Sequence, residues 1–118
     1  MEIKEARKQG SEKLSKMDVY KLTRDPSAES IQKHVGECIR PAMYCLYEDV
    51  NDKGETMEVL SISDGILTFS TISDVFKREF MECAKIADGA DFEIEIMKGE
   101  TKAGRMFVTC RLNWIDEG

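Results

Sequence analysis

The clearest pattern in the chain is the alternation of Phe92, Ile94 and Ile96 with Glu93 and Glu95, which predicts a strand with one face buried and one in water. Residues 98–105 follow, with Gly99 and Gly104, and predict a hairpin into a last strand. There Met106, Val108, Cys110 and Leu112 share one face, and Arg105, Phe107, Thr109 and Arg111 share the other. Ahead of this hairpin the period lengthens. Phe76, Phe80, Cys83 or Ala84, and Ala87 fall on one side of a helix opened by Ser73-Asp74 and stopped by Gly89.

Further upstream the period of two returns. Residues 37–50 predict one long strand, Asn51, Asp52 and Gly54 suit a turn, and residues 56–63 run back. Asp64-Gly65 turns the chain again into a third strand over 66–71. In front of this meander, residues 1–10 are polar and predict a flexible lead-in ending at Gly10. Ser11 is a candidate cap for a short helix carrying Leu14, Met17 and Leu22. A second helix is expected between Asp25, as cap, and Gly36, with Pro26 at its first position and Ala28, Ile31 and Val35 as its apolar stripe.

The resulting order, β-β-β-α-β-β, predicts a mainly β chain: a five-stranded antiparallel OB-fold-like barrel over residues 37–113. Residues 1–36 form a helical N-terminal extension and 114–118 a tail. An SH3-like barrel is disfavoured by the long helix between the third and fourth strands, and an open α+β sheet is the other alternative. With 118 residues, one domain is expected.

Charge changes the picture. The chain carries 17 Lys and Arg against 23 Asp and Glu, a net −6 that argues against a nonspecific polyanion binder. The distribution argues the other way. Residues 98–111 hold four cations and one acid, whereas residues 79–97 hold six acids and one cation. A Gly-flanked hairpin with Lys98, Lys102, Arg105 and Arg111, and with Phe107 at its base, has what a single strand of nucleic acid needs: cations for phosphates and an aromatic face for a base. Arg40, beside Pro41, is placed to reach phosphate. Tyr44 or Tyr47, and Phe69, are candidate stacking residues, with core packing as the competing role for each. Residues 1–24, with seven cations and four acids, form a second basic end.

Other chemistry is poorly supported, so no enzyme activity and no cofactor are expected. The chain has no GxSxG, HExxH or P-loop sequence. His34, the lone histidine, falls at the end of the second predicted helix, where a cation complements the dipole. Cys38, Cys45, Cys83 and Cys110 contain no CxxC pair, sit where small apolar residues pack, and are expected as thiols rather than zinc ligands. No apolar run is long enough to span a membrane and the N-terminus lacks the apolar segment of a signal peptide, so a cytoplasmic protein is expected.

Residues 20–27 (YKLTRDPS), Val35-Gly36, Tyr47-Glu48-Asp49, Lys53-Gly54-Glu55 and residues 58–62 (EVLSI), with residues 76–80 (FKREF) and 98–110 (KGETKAGRMFVTC), give the chain a resemblance. It resembles small OB-fold single-stranded DNA-binding proteins encoded by phages and mobile elements of Gram-positive bacteria. The resemblance spans about residues 20–112, and its best motif is the Lys-Ala-Gly-Arg hairpin running into Phe-Val-Thr-Cys. It implies binding of single-stranded DNA in phage or mobile-element replication or transfer, with replication or transfer proteins as further partners. The rival expectation is an acidic module that recruits or inhibits a host factor through the Glu93/Glu95 face.

Overall fold

The computed structural model describes residues 1–11 and 13–118, and among these eight strands and two α-helices are found. Strands β1 (Glu2–Lys8), β2 (Glu29–Ser30), β4 (Met43–Val50), β5 (Thr56–Ser63) and β6 (Thr68–Thr71) make one sheet in the order β1-β4-β5-β6-β2. Strands β3 (Cys38–Ile39), β7 (Phe92–Glu100) and β8 (Met106–Ile115) make a second, in the order β3-β7-β8. The helices are α1 (Lys16–Thr23) and α2 (Asp74–Ala87). The chain is mainly β, as its alternation predicts. No strand pairing joins the two sheets among the described residues, so the expected closed barrel does not form.

The long strand expected over residues 37–50 is divided. Its first part, β3, pairs with β7, and its second, β4, pairs with β5. The break falls at Arg40-Pro41-Ala42, where proline has no N–H to give to a ladder, so the chain leaves one sheet and enters the other. The β4–β5 turn forms at residues 51–55, where the Asn51 Oδ1 accepts the N–H groups of Lys53 and Glu55, both at 2.9 Å. The next turn is longer than expected. Asp64 Oδ1 accepts the N–H groups of Ile66 and Leu67 at 2.8 and 2.7 Å, which holds both out of the ladder until β6 starts at Thr68.

Helix α2 begins as predicted, with the Ser73 hydroxyl accepting the Phe76 N–H at 3.3 Å. Its apolar side closes the space between the sheets. Phe80 is fully buried at the centre of an aromatic cluster, edge-on to Tyr44 at 5.1 Å, stacked with Phe76 at 6.4 Å and tilted against Phe92 at 5.8 Å. Leu60, Ile62, Ile94, Ile96 and Cys110 complete this core. Lys77, on the same helix, is also buried, with its ammonium on the Glu58 carbonyl at 3.0 Å and carboxylate at 3.2 Å and on Asp74 at 3.1 Å. A smaller core of Leu22, Met43, Cys45 and Tyr47 lies on the other face of the five-stranded sheet, under α1.

The N-terminal third departs most from expectation. Residues 2–8 are not a lead-in but an antiparallel edge strand on β4. The first helix starts at Lys16 rather than after Ser11. Ser15 caps it, accepting the Asp18 N–H at 3.1 Å while Asp18 accepts the Ser15 N–H at 2.9 Å, a reciprocal arrangement worth about 1 kcal/mol. No α-helix forms over residues 25–36. Asp25 turns its carboxylate onto the Ser27 N–H and hydroxyl, at 2.9 and 2.8 Å. Glu29–Ser30 then run parallel to β6, and only a 3-10 turn, Ile31–His34, follows. Ile31 alone of the expected stripe is buried, while Val35 is exposed. His34 packs edge-on against Phe69 at 4.8 Å, with Nδ1 at 2.7 Å from Glu37 and Nε2 at 3.3 Å from Glu29. At the other end β8 runs through Ile115, taking in residues expected as tail.

Candidate nucleic-acid interface

The two long strands of the second sheet are in register from Glu100↔Met106 at the tip to Phe92↔Ile115 at the base, with one slip beside Glu93. Ile94, Ile96, Val108 and Cys110 point into the core. Their neighbours Glu93, Glu95 and Met97, and Phe107, Thr109 and Arg111, therefore form an outward face.

At the base of this face the charges are matched. The Arg111 guanidinium donates to Glu95 Oε1 from Nε at 3.0 Å and from Nη2 at 2.8 Å. Arg40 donates from Nε to Glu93 Oε1 at 3.1 Å and lies over the Trp114 ring, 4.4 Å from its centroid. The Asn113 amide donates to the other Glu93 oxygen. The Asn113 amide first, and the Arg40 guanidinium second, hold the Glu93 carboxyl below the usual carboxylate range.

At the tip the charges are unmatched. The turn over residues 101–105 is closed by the Thr101 hydroxyl, which accepts the Arg105 N–H at 3.1 Å. Lys98, Lys102 and Arg105 make no ion pair among the described residues. Phe107 stands opposite Gly99 in the ladder, and its ring lies where a side chain at Gly99 would be. This explains the glycine: the ring folds across the strand and is left half exposed. Beside it opens a hollow of about 360 Å³, bounded by Gln32, Val35, Lys98, Met106, Phe107 and Val108. Met106, which the alternation groups with Val108 and Cys110, is exposed on this rim.

The expected site residues thus separate into three groups. Lys98, Lys102, Arg105 and Phe107 all lie at the hairpin tip, where Lys98 and Phe107 border one hollow although Lys98 projects on the side of Val108, opposite Phe107. Arg40 and Arg111 are exposed but paired with carboxylates. Tyr44, Tyr47 and Phe69 are 7%, 5% and 3% exposed, so none offers a face to a base. Alternation left open which β4 tyrosine faces outward, and neither does, because the strand is covered by α2 on one face and α1 on the other. Trp114 was missed because it lay beyond the last predicted strand. Alternation could not have placed it, because the register slips beside Glu93 and sets Trp114 opposite Glu93 rather than on the face of Leu112.

The four cysteines are free thiols; Cys38 is exposed and the others buried, with the Cys45 thiol pushed up to about 11 by burial. Among the described residues no three His, Cys, Asp or Glu side chains gather as a metal site, and no helix is long and apolar enough to cross a membrane. Comparison of the chain with family models, curated proteins and solved structures finds no match.

Proposed function

We propose that the chain is a non-enzymatic binder of single-stranded DNA with little sequence preference, and that the β7–β8 hairpin is its contact. One observation carries this: three cations without ion-pair partners lie on the hairpin tip that carries a half-buried ring, on a sheet whose other arginines are already paired. Phosphates on Lys98, Lys102 and Arg105 release counterions, which makes binding favourable and salt-dependent. A base stacks on Phe107 whatever its identity, since every base has a π-face. The fold supports the proposal in outline. The β3–β4 strand spans both sheets, β5 and β6 follow it, and α2 leads into the β7–β8 hairpin, an order that fits an OB-type arrangement opened along the seam between β6 and β8. Replication or transfer of phage or mobile-element DNA is the setting we assign to such a binder. A docking face for a host protein on Glu93 and Glu95 has less support, because both carboxylates are engaged by arginines.

Fluorescence anisotropy with a labelled oligothymidylate at two salt concentrations tests the proposal. Binding is expected at low salt and should weaken steeply at high salt. No binding at low salt, or equal binding at both, overturns it. A matched oligouridylate measures any preference for DNA over RNA.

A further inference from the structure

We propose that β1 is the docking edge for a second copy of this chain, paired strand to strand about a two-fold axis passing between Lys4 and Glu5. A sheet edge carries backbone N–H and C=O groups without partners, and folded proteins shorten, bend or cover such edges. Two of the four edges here are treated so, β2 and β3 being two residues each. On β8, ten residues long, the Ser73 hydroxyl donates to the Val108 carbonyl at 3.2 Å, beside the start of α2. β1 has seven residues, pairs with β4, and is exposed along most of its length.

The register of β1 fixes which way its side chains face. Ile3 and Ala6 oppose Tyr47 and Cys45, which pack on the α1 side of the sheet. Glu5 and Arg7 oppose Leu46 and Tyr44, on the α2 side, and Glu2 opposes Glu48 in the same row. Between Ile3 and Glu5 the register slips, leaving Lys4 as the extra residue of a bulge. Its ammonium reaches Glu48 at 2.9 Å and Glu58 at 2.7 Å, so Lys4 shares the α2 side with Glu5.

That shared side matters for self-pairing. In a regular strand two neighbours point to opposite faces, so a symmetric antiparallel pair cannot set one against the other. The bulge removes this bar. With the axis between Lys4 and Glu5, Lys4 meets the partner's Glu5, Glu2 meets the partner's Arg7, and Ile3 meets the partner's Ala6. Each pair lies on one face, and every charged pair is of opposite sign. Moving the axis onto Glu5 or onto Lys4 sets like charges against each other. Glu2, Glu5 and Arg7 hold no ion pair among the described residues, and Glu2 and Glu5 are exposed, while the Arg7 guanidinium lies against Gly89 and would swing out to meet the partner's Glu2. A strand that complements itself in this way specifies its own copy, which is the isologous contact of a two-fold dimer.

Sedimentation equilibrium over a wide concentration range tests this with two variants, Glu2→Arg/Glu5→Lys and Lys4→Glu/Arg7→Glu. The wild-type chain should dimerise, and each variant alone should dissociate about a hundredfold more readily, since its cross-strand attractions become repulsions. An equimolar mixture of the two should associate again, because every pair is then of opposite sign. A wild-type chain that stays monomeric, variants that associate like the wild type, or a mixture that stays monomeric overturns the proposal. Circular dichroism checks each fold. If the Lys4/Arg7 variant does not fold, the Glu2/Glu5 variant, which disturbs no internal ion pair, decides the question alone.

Discussion

The base and the tip of the β7–β8 sheet carry similar cations in opposite circumstances. At the base, Arg40 and Arg111 each hold a glutamate, and Arg40 also covers Trp114. At the tip, Lys98, Lys102 and Arg105 face solvent alone. A phosphate approaching the base must displace a carboxylate already hydrogen-bonded there. A phosphate approaching the tip displaces only water and mobile ions. Counting cations along the chain therefore overstates the site by two residues, because what matters is charge without an internal partner.

This contrast can be broken experimentally, and the largest effect is expected at the tip. Lys102→Glu/Arg105→Glu should weaken oligonucleotide binding about a hundredfold at low salt, since two phosphate contacts become repulsions. Phe107→Ala comes next, with a loss of about 1–3 kcal/mol in binding for one stacked base, read from the same titration. Gly99→Val should act in the same direction by displacing the Phe107 ring from its place over the strand, and thermal unfolding shows whether the sheet itself survives. Arg40→Gln/Arg111→Gln is expected to change affinity by less than about threefold, because exposed pairs contribute about 0–1 kcal/mol to stability and here offer little to a ligand.

The smallest effect is one of pH. The Glu93 carboxyl is held below its usual range by Asn113 and Arg40, so its stabilising contribution is full above the ordinary carboxylate pKa and lost as pH falls through the lowered value. Acidification should loosen the base. Glu93→Gln should make the melting temperature slightly less sensitive to acid, measured by thermal unfolding across that pH range.

Much of the tip was legible in the sequence because its signals are local. Strict alternation over residues 92–96, the Ser73 cap, the apolar stripe of α2 and the glycines of the last hairpin each act within a few residues of themselves. β1 was not legible. Its sequence, EIKEARK, is charged along its length, and it is a strand only because β4 presents an open ladder beside it. The expected helix after Asp25 failed for a related reason. Its apolar stripe was three residues long, and pairing of Glu29–Ser30 with β6 outweighed the local preference. The pairing of Arg40 and Arg111 was equally hidden, since it depends on β3 and β8 flanking β7. At Glu95 the register brings Arg111 directly opposite, a fact that only the assembled sheet supplies.

The most direct test of the contrast is the slope of log K against log salt for the triple variant Lys98→Gln/Lys102→Gln/Arg105→Gln, set beside Arg40→Gln/Arg111→Gln and the wild-type chain. Each phosphate contact on a single strand contributes roughly 0.7 to that slope, so the tip variant should flatten it by about 2 while the base variant leaves it unchanged. Equal flattening in both variants, or none in the tip variant, would contradict the assignment of the site to the unpaired cations.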